Sequence, residues 1–378
     1  MMNYPTNKLL ALPAKQRGYS VVELLVASVI GLIVLSGAVT VFTGNKSSQE
    51  LSSGMARIQE SGRVALDILS NDIRLAGFQG CTDGTIPPNV IASAGPTITL
   101  PNGALWGGEI NSGTWSPALH PDLSNISSQA RANSDVGYVQ HASGRTTILA
   151  SSMTTSNGPI SVELNPDQLD ANDLIIISDC SNADIFRATS VSEPTAGSSA
   201  VSIAFAAGAA NTSSTLSTNY QVSASDPNRI KDPMRVMRFE ANAYFVKDSG
   251  RTDKNGNPIY SLFVLDTTES PIGTPMELVE GVENMQIMYG QRLPNGSTQY
   301  LKAGHPSLEM DSVVSVQIGL LVSSTESITG DDDNRTYLIA NEKIGPPSSS
   351  LSLKHTGGRA MRAAFNTTIQ LRNRSANL

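Results

Sequence analysis

"KQRGYSVVELLVASVIGLIVLSGAVTVF", Lys15 to Phe42, is the stretch on which the reading of the whole chain turns. After a basic lead-in, the 23 residues from Ser20 to Phe42 hold a single ionisable group, Glu23. About 20 apolar residues, at roughly 1.5 Å each, suffice to cross a bilayer as a helix. A carboxylate inside such a helix costs roughly 2.5 to 3.5 kcal/mol on insertion scales. Two features therefore need a reason: the acid near the start of the run, and Gly18 just before it.

Two ordinary readings supply none. A cleaved secretory signal has a shorter apolar core and carries its small residues after that core. A plain signal anchor accounts for the length but leaves Glu23 and the Arg17–Gly18 junction as accidents.

A third reading accounts for both. "RGYSVVELLVASVIGLIVL" resembles the class III signal of type IV prepilins and type II secretion pseudopilins. That resemblance implies a cut by prepilin peptidase between Gly18 and Tyr19, N-methylation of Tyr19, and retention of the apolar helix. Tyr19 departs from the usual phenylalanine but keeps an aromatic ring. Glu23 becomes the fifth residue after the cut, the family's hallmark acid. A buried carboxylate is tolerable when a cation pairs with it. In a filament, the terminal amine of Tyr19 on one subunit would meet Glu23 of a neighbour, so Glu23 is an assembly residue and not a catalyst.

The bulk numbers fit a large, β-rich and loop-rich body. The chain has 378 residues, 39% apolar, 5% aromatic and 16% charged, enough for one large or two modest domains with a sizeable core. Net charge is −7, and residues 1–18 contribute only Lys8, Lys15 and Arg17, so the remainder is more acidic still. Nucleic acid is not an expected partner of such a body. Cys81 and Cys180 are the only cysteines, with no CxxC and no neighbouring histidine, which argues against a zinc site. If the body lies outside the cytoplasm, one disulfide between them is the simplest use, tying the end of the helix to the head. Closing a loop of that length contributes about 4 to 5 kcal/mol in the chain-entropy model, and often less in practice.

Past Phe42 the text turns polar yet stays helical. Leu51, Met55, Ile58, Gly62, Ala65, Leu69 and Ile73 recur every three or four residues, one stripe of an amphipathic helix running to about Ala76. Gly31, Gly37, Gly44, Gly54 and Gly62 are either places where that helix bends or the ordinary glycines of a membrane helix. "DIRLAGFQGC", Asp72 to Cys81, ends it, with Gly77 and Gly80 as stops. Strand signals follow: "TTILA", "DLIIISDC", "VSIAFAA", "RVMRFEANAYFV", "PIYSLFVLD", "MQIMYG", "VVSVQIGLLVSS", "RTYLIAN" and "FNTTIQLRN". Asn255-Gly256 marks a hairpin turn.

Several phrases resemble one branch of the superfamily, the PilW-type minor pilins: "DIRLAGFQGC", "IIISDCSNADIFRAT", "ELVEGVENMQIMYG", "VVSVQIGLLVSS" and "MRAAFNTTIQLRNR". The expected fold is α+β and type IV pilin-like, a long N-terminal helix packed on an antiparallel β-sheet head with an inserted β-rich subdomain. The expected divisions are a cleaved leader, 1–18; a transmembrane and filament-core helix, 19–42; its amphipathic second half, 43–77; and a periplasmic head, 78–378, with 82–230 as the insertion. The resemblance implies a low-abundance subunit that helps initiate a pilus. Its partners would be other minor pilins, the major pilin, prepilin peptidase, the inner-membrane assembly machinery and a tip adhesin. Its place would be the inner membrane, crossed once, and then the pilus tip. A minor pseudopilin of a type II secretion system is the alternative.

No catalytic set is legible. His120, His141, His305 and His355 sit apart and read as surface or hairpin residues. There is no GxSxG, P-loop or GxGxxG. "SLSLKH" lacks SxxK spacing. "GDDDNR", Gly330 to Arg335, reads as a solvated loop rather than a calcium site. No metal and no cofactor are expected.

Overall fold

The computed structural model describes residues 18–81, 86–93, 95–101, 103–111, 114–192, 194, 199–222 and 234–373. One helix, α1, covers Val21–Arg74. The chain divides into two units, Met1–Ser52 and Ser53–Leu378.

In the first unit every described residue up to Glu50 is exposed. Ser20 starts the helix, its hydroxyl accepting the Val22 amide and its carbonyl the Leu24 amide. Hydroxyls inside the apolar run are satisfied within the helix: Ser28 donates to the Leu25 carbonyl, Thr40 to Ser36 and Thr43 to Val39. A helix meant for hydrocarbon needs that, because lipid offers no partner to an unpaired polar group. By length and composition α1 qualifies as a membrane span.

In the second unit the helix buries Gly54, Ile58, Gly62, Ala65, Leu69 and Ile73. The expected stripe is confirmed from Ile58 onward but corrected at its start. Met55 is 38% exposed, and Gly54 takes its place. Gly54 and Gly62 are not bends. A Cβ on Gly54 would stand 2.2 Å from the Ile328 side chain, and one on Gly62 2.5 Å from the Phe365 ring. They are gaps into which the head packs. After Arg74 the chain turns through Gly77 and Gly80, both at positive φ, and the Gly77 amide donates to the Gln140 carbonyl. At Gly80 a Cβ would also fall 2.2 Å from the Ser178 hydroxyl.

Among the described residues nineteen strands follow. The first nine are β1 (Asn89–Val90), β2 (Leu105–Asn111), β3 (Thr114–Ser116), β4 (Val136–Ala142), β5 (Ile160–Val162), β6 (Leu174–Ser178), β7 (Ala183–Arg187), β8 (Ser190–Val191) and β9 (Val201–Ala204). Next come β10 (Arg235–Thr252), β11 (Pro258–Asp266), β12 (Met276–Glu280), β13 (Val282–Arg292) and β14 (Thr298–Lys302). The last five are β15 (Val313–Ser327), β16 (Tyr337–Ile339), β17 (Glu342–Gly345), β18 (Leu353–Lys354) and β19 (Ala360–Gln370).

An antiparallel sheet in the order β14-β13-β15-β19 meets the helix stripe, with Met285, Ile287, Val316, Ile318, Leu320 and Ile369 in one core with Ile58, Leu69 and Ile73. A nine-stranded sheet runs β1-β7-β6-β10-β4-β2-β3, with β11 and β12 branching from β10. Strand β10 binds its segments together, pairing with β6 through Arg235–Arg238, with β4 through Phe239–Tyr244 and with β11 from Asn242 onward. Six strands from the segment 82–230 thus share a sheet with the later chain, while β5, β9 and β8 form a small sheet over a separate core.

The expected strand at "TTILA" is replaced by two isolated bridges, Thr147 to Val236 and Leu149 to Val162. Its alternate residues serve different neighbours, so no ladder forms. The Asn255-Gly256 turn joins β10 to β11 as expected. Gly256 has φ +82, its amide donates to the Asp253 carbonyl, and the Asp253 carboxylate accepts the amides of Asn255 and Asn257.

Candidate functional site

The processing and assembly residues named from the sequence cluster at the start of α1. Gly18 has no heavy atom within 4 Å of where a Cβ would stand, and Tyr19 is 84% exposed. Glu23 lies in the first helical turn, where the exposed amides favour a carboxylate. Among the described residues it makes no ion pair. The basic flank of Lys8, Lys15 and Arg17 lies outside the described residues.

The other sequence-named pair is joined. Cys81 and Cys180 form a disulfide with Cα atoms 4.6 Å apart, linking the segment after α1 to the turn after β6. In that turn Asp179 accepts the amides of Ser181 and Asn182, which holds Cys180 in place.

Sequence reasoning missed a polar joint one turn earlier. Asp72, in the last turns of α1, lies 2.7 Å from Nε2 of His141 on β4. Its other oxygen accepts the Tyr244 hydroxyl at 2.8 Å and the Asn242 amide at 3.3 Å, both from β10. His141 donates from Nδ1 to the Ala142 carbonyl, and Glu240 approaches Nε2 at 3.9 Å. His141 is therefore not the surface residue expected, being 1% exposed. Burial works against its charge, but the bond to Asp72 outweighs burial and raises its pKa. Burial raises that of Glu240.

A second missed cluster joins β13, β19 and the segment before β16. Arg362 on β19 donates Nε to Glu283 at 2.7 Å and Nη1 to Asp333 at 3.2 Å, all three buried. Arg131 stands 3.7 Å from the same glutamate and lies over the Tyr260 ring. The Asp333 carboxylate also accepts the Tyr337 hydroxyl and the Arg335 guanidinium. Burial opposes its charge, yet these donors hold its pKa down to about 2. "GDDDNR" is thus only partly the solvated loop expected: Asp331 and Asp332 are exposed, while Asp333 is a structural anchor. His355 is also buried, bonded to the Arg335 carbonyl and the Gly357 amide, whereas His305 is exposed as expected and His120 is half-buried beside Tyr138. Lys354 of "SLSLKH" donates to the Pro347 carbonyl.

Neither cluster has the nucleophile, base and oxyanion donors of a reaction centre. Both join distant parts of the chain, and both contain phrases that carry the sequence resemblance: "DIRLAGFQGC" supplies Asp72 and Cys81, "ELVEGVENMQIMYG" Glu283, and "MRAAF" Arg362.

Comparison with known proteins agrees with that pattern at both ends of the chain. The Type IV Pilus-assembly protein W family matches residues 243–373, and the prokaryotic N-terminal methylation motif matches residues 13–39. No curated protein matches the chain. A type IV-like pilin from Thermus thermophilus is similar in structure at 9% identity and a TM-score of 0.30, covering 84% of this chain and 98% of that one. The chain thus resembles type IV pilins of the PilW kind in two stretches, a prepilin motif near its start and a PilW match from within β10 through β19.

Proposed function

We propose that this chain is a minor pilin, a structural subunit that helps initiate a type IV pilus and sits at its tip with other minor pilins. The observation that carries the reading is the pairing of a prepilin motif with a PilW match in one chain. The methylation motif alone fits a secretion pseudopilin equally well; the PilW match favours the pilus.

In this reading prepilin peptidase cuts between Gly18 and Tyr19, and Tyr19 becomes the methylated terminus. The 18-residue leader is lost, residues 19–42 pass from the inner membrane into the filament core, and the head lies in the periplasm until assembly. An exposed apolar helical segment supports this, because it has its own hydroxyls satisfied but its apolar surface uncovered. Glu23 then pairs with the Tyr19 amine of a neighbouring subunit, offsetting the cost of holding a carboxylate among apolar residues.

Glu23→Ala tests the reading. The variant should be cleaved normally and accumulate in the membrane, while surface pili counted by electron microscopy fall in number more than in length. Wild-type pilus numbers at equal expression would refute an initiating role for this carboxylate.

A further inference from the structure

We propose that Asp72, His141 and Glu240 bind one divalent transition-metal ion, with zinc as the representative, at the joint between the end of α1 and strands β4 and β10. One ligand atom from each residue lies within 4.8 Å of the others. One imidazole nitrogen and two carboxylate oxygens are a donor set that zinc accepts, with a fourth position left for water.

The ligands are oriented from behind. Nδ1–H of His141 donates to the Ala142 carbonyl at 2.9 Å, which turns Nε2 toward both acids. The far oxygen of Asp72 is held by Tyr244 and Asn242. Outer partners of this kind fix the tautomer of a metal-binding histidine and the rotation of a metal-binding carboxylate. Of the three, Glu240 also lines a cleft of about 440 Å³ with Ser143, Asp167, Arg238, Asn242 and Asp266.

The charge balance points the same way. Both ring nitrogens of His141 face acceptors, so the two carboxylates and the imidazolium sum to −1; without the Nε2 proton the group is at −2, which a divalent cation neutralises. Nε2 and the Asp72 oxygen stand 2.7 Å apart, close enough to share that proton. Metal binding breaks the Nε2–H bond, gives the Nε2 lone pair to the ion and releases the proton to water. The bound ion cross-links three elements that are distant in sequence.

The test uses the full-length protein in detergent, stripped with chelator and titrated with zinc chloride alone. Calorimetry in two buffers of different ionisation enthalpy should give one zinc per chain and about one proton released. A hundredfold excess over the dissociation constant should raise the melting midpoint by about 3 to 5 °C. Glu240→Gln should weaken binding at least tenfold, and His141→Gln should abolish it together with the proton release. Asp167→Asn, at the cleft rim, should bind like wild type. Glu240 is partly exposed, so its variant remains informative should His141→Gln fail to fold. No saturable binding at millimolar zinc, or binding unchanged in Glu240→Gln, overturns the proposal.

Discussion

Glu23 and Glu283 are both carboxylates set among apolar residues, and the chain treats them in opposite ways. Glu283 is 1% exposed and held by Arg362, Arg131 and the Thr356 amide, all from the same chain. Glu23 stands in the first turn of a helix whose residues are all exposed as far as Glu50. The glycines divide the same way. Gly31, Gly37 and Gly44 face open space, while Gly54 and Gly62 receive side chains from the head. The head completes its own packing and electrostatics, while the first half of α1 leaves its apolar surface uncovered. Substitutions in the first half should thus alter processing and assembly, and those in the second unit should alter stability.

Gly18→Val should show the largest effect, close to all-or-none. With no side chain, Gly18 leaves room for a peptidase pocket, and a branched residue there should block the cut. N-terminal sequencing of membrane-extracted protein should read Tyr19 in the wild type and the unprocessed start in the variant. Head stability should not move. A cut elsewhere, or an equal yield of processed variant, would break the assignment.

Arg362→Met comes next. It leaves Glu283 and Asp333 buried without their cation, a change that destabilises by about 3 to 5 kcal/mol. Urea unfolding followed by Trp106 and Trp115 reads the head alone, since both tryptophans lie there. The same network sets an acid limit. The folded pKa of Asp333, about 2, lies below its unfolded value of 3.8, so its stabilisation is complete above that value. It is lost as pH falls toward the folded pKa. Asp333→Asn should flatten the stability profile in that window; an unchanged slope would show that other acids govern it. Cys81→Ser should cost less, about 2 to 4 kcal/mol by freeing the unfolded chain, and thiol labelling of the denatured wild type should find almost no free thiol.

How much of this was legible depended on distance along the chain. Ile58, Ala65, Leu69 and Ile73 were readable because a helical period is local. Gly54 was not, because a glycine carries no apolar weight and its partner Ile328 comes from another part of the chain. His141 was unreadable as a joint, since Asp72 is 69 residues away and only the pairing of β4 with β10 brings Tyr244 to the same place. A signal existed: "VGYVQHA" places Gln140 and His141 inside a strand that is buried throughout, and buried polar groups require partners. Glu283 and Arg362, 79 positions apart, carried a similar signal as single charges in apolar strands. At the N-terminus the opposite held. Gly18 and Glu23 lie five residues apart, and the methylation motif that matches residues 13–39 spans both, so that motif could be read directly from the text.

The smallest expected effect is also the finest test of the divided helix. Gly62→Ala adds a methyl group 2.5 Å from the Phe365 ring, closer than real contacts allow, so the ring must move. Overpacking of this kind costs about 1 to 3 kcal/mol. Replacing glycine by alanine inside a helix returns about 1 kcal/mol. The balance should be a loss on the order of 1 kcal/mol, measured by urea unfolding of the head. In a Phe365→Ala background the obstruction is gone, and Gly62→Ala should become stabilising by about 1 kcal/mol. That change of sign isolates the contact from helix propensity, because propensity is the same in both backgrounds. Gly37→Ala has no neighbour to displace and lies outside the unit that carries the tryptophans, so it should leave head unfolding unchanged. If Gly37→Ala and Gly62→Ala shifted the head equally, the two halves of α1 would be acting as one element and the contrast between them would fail.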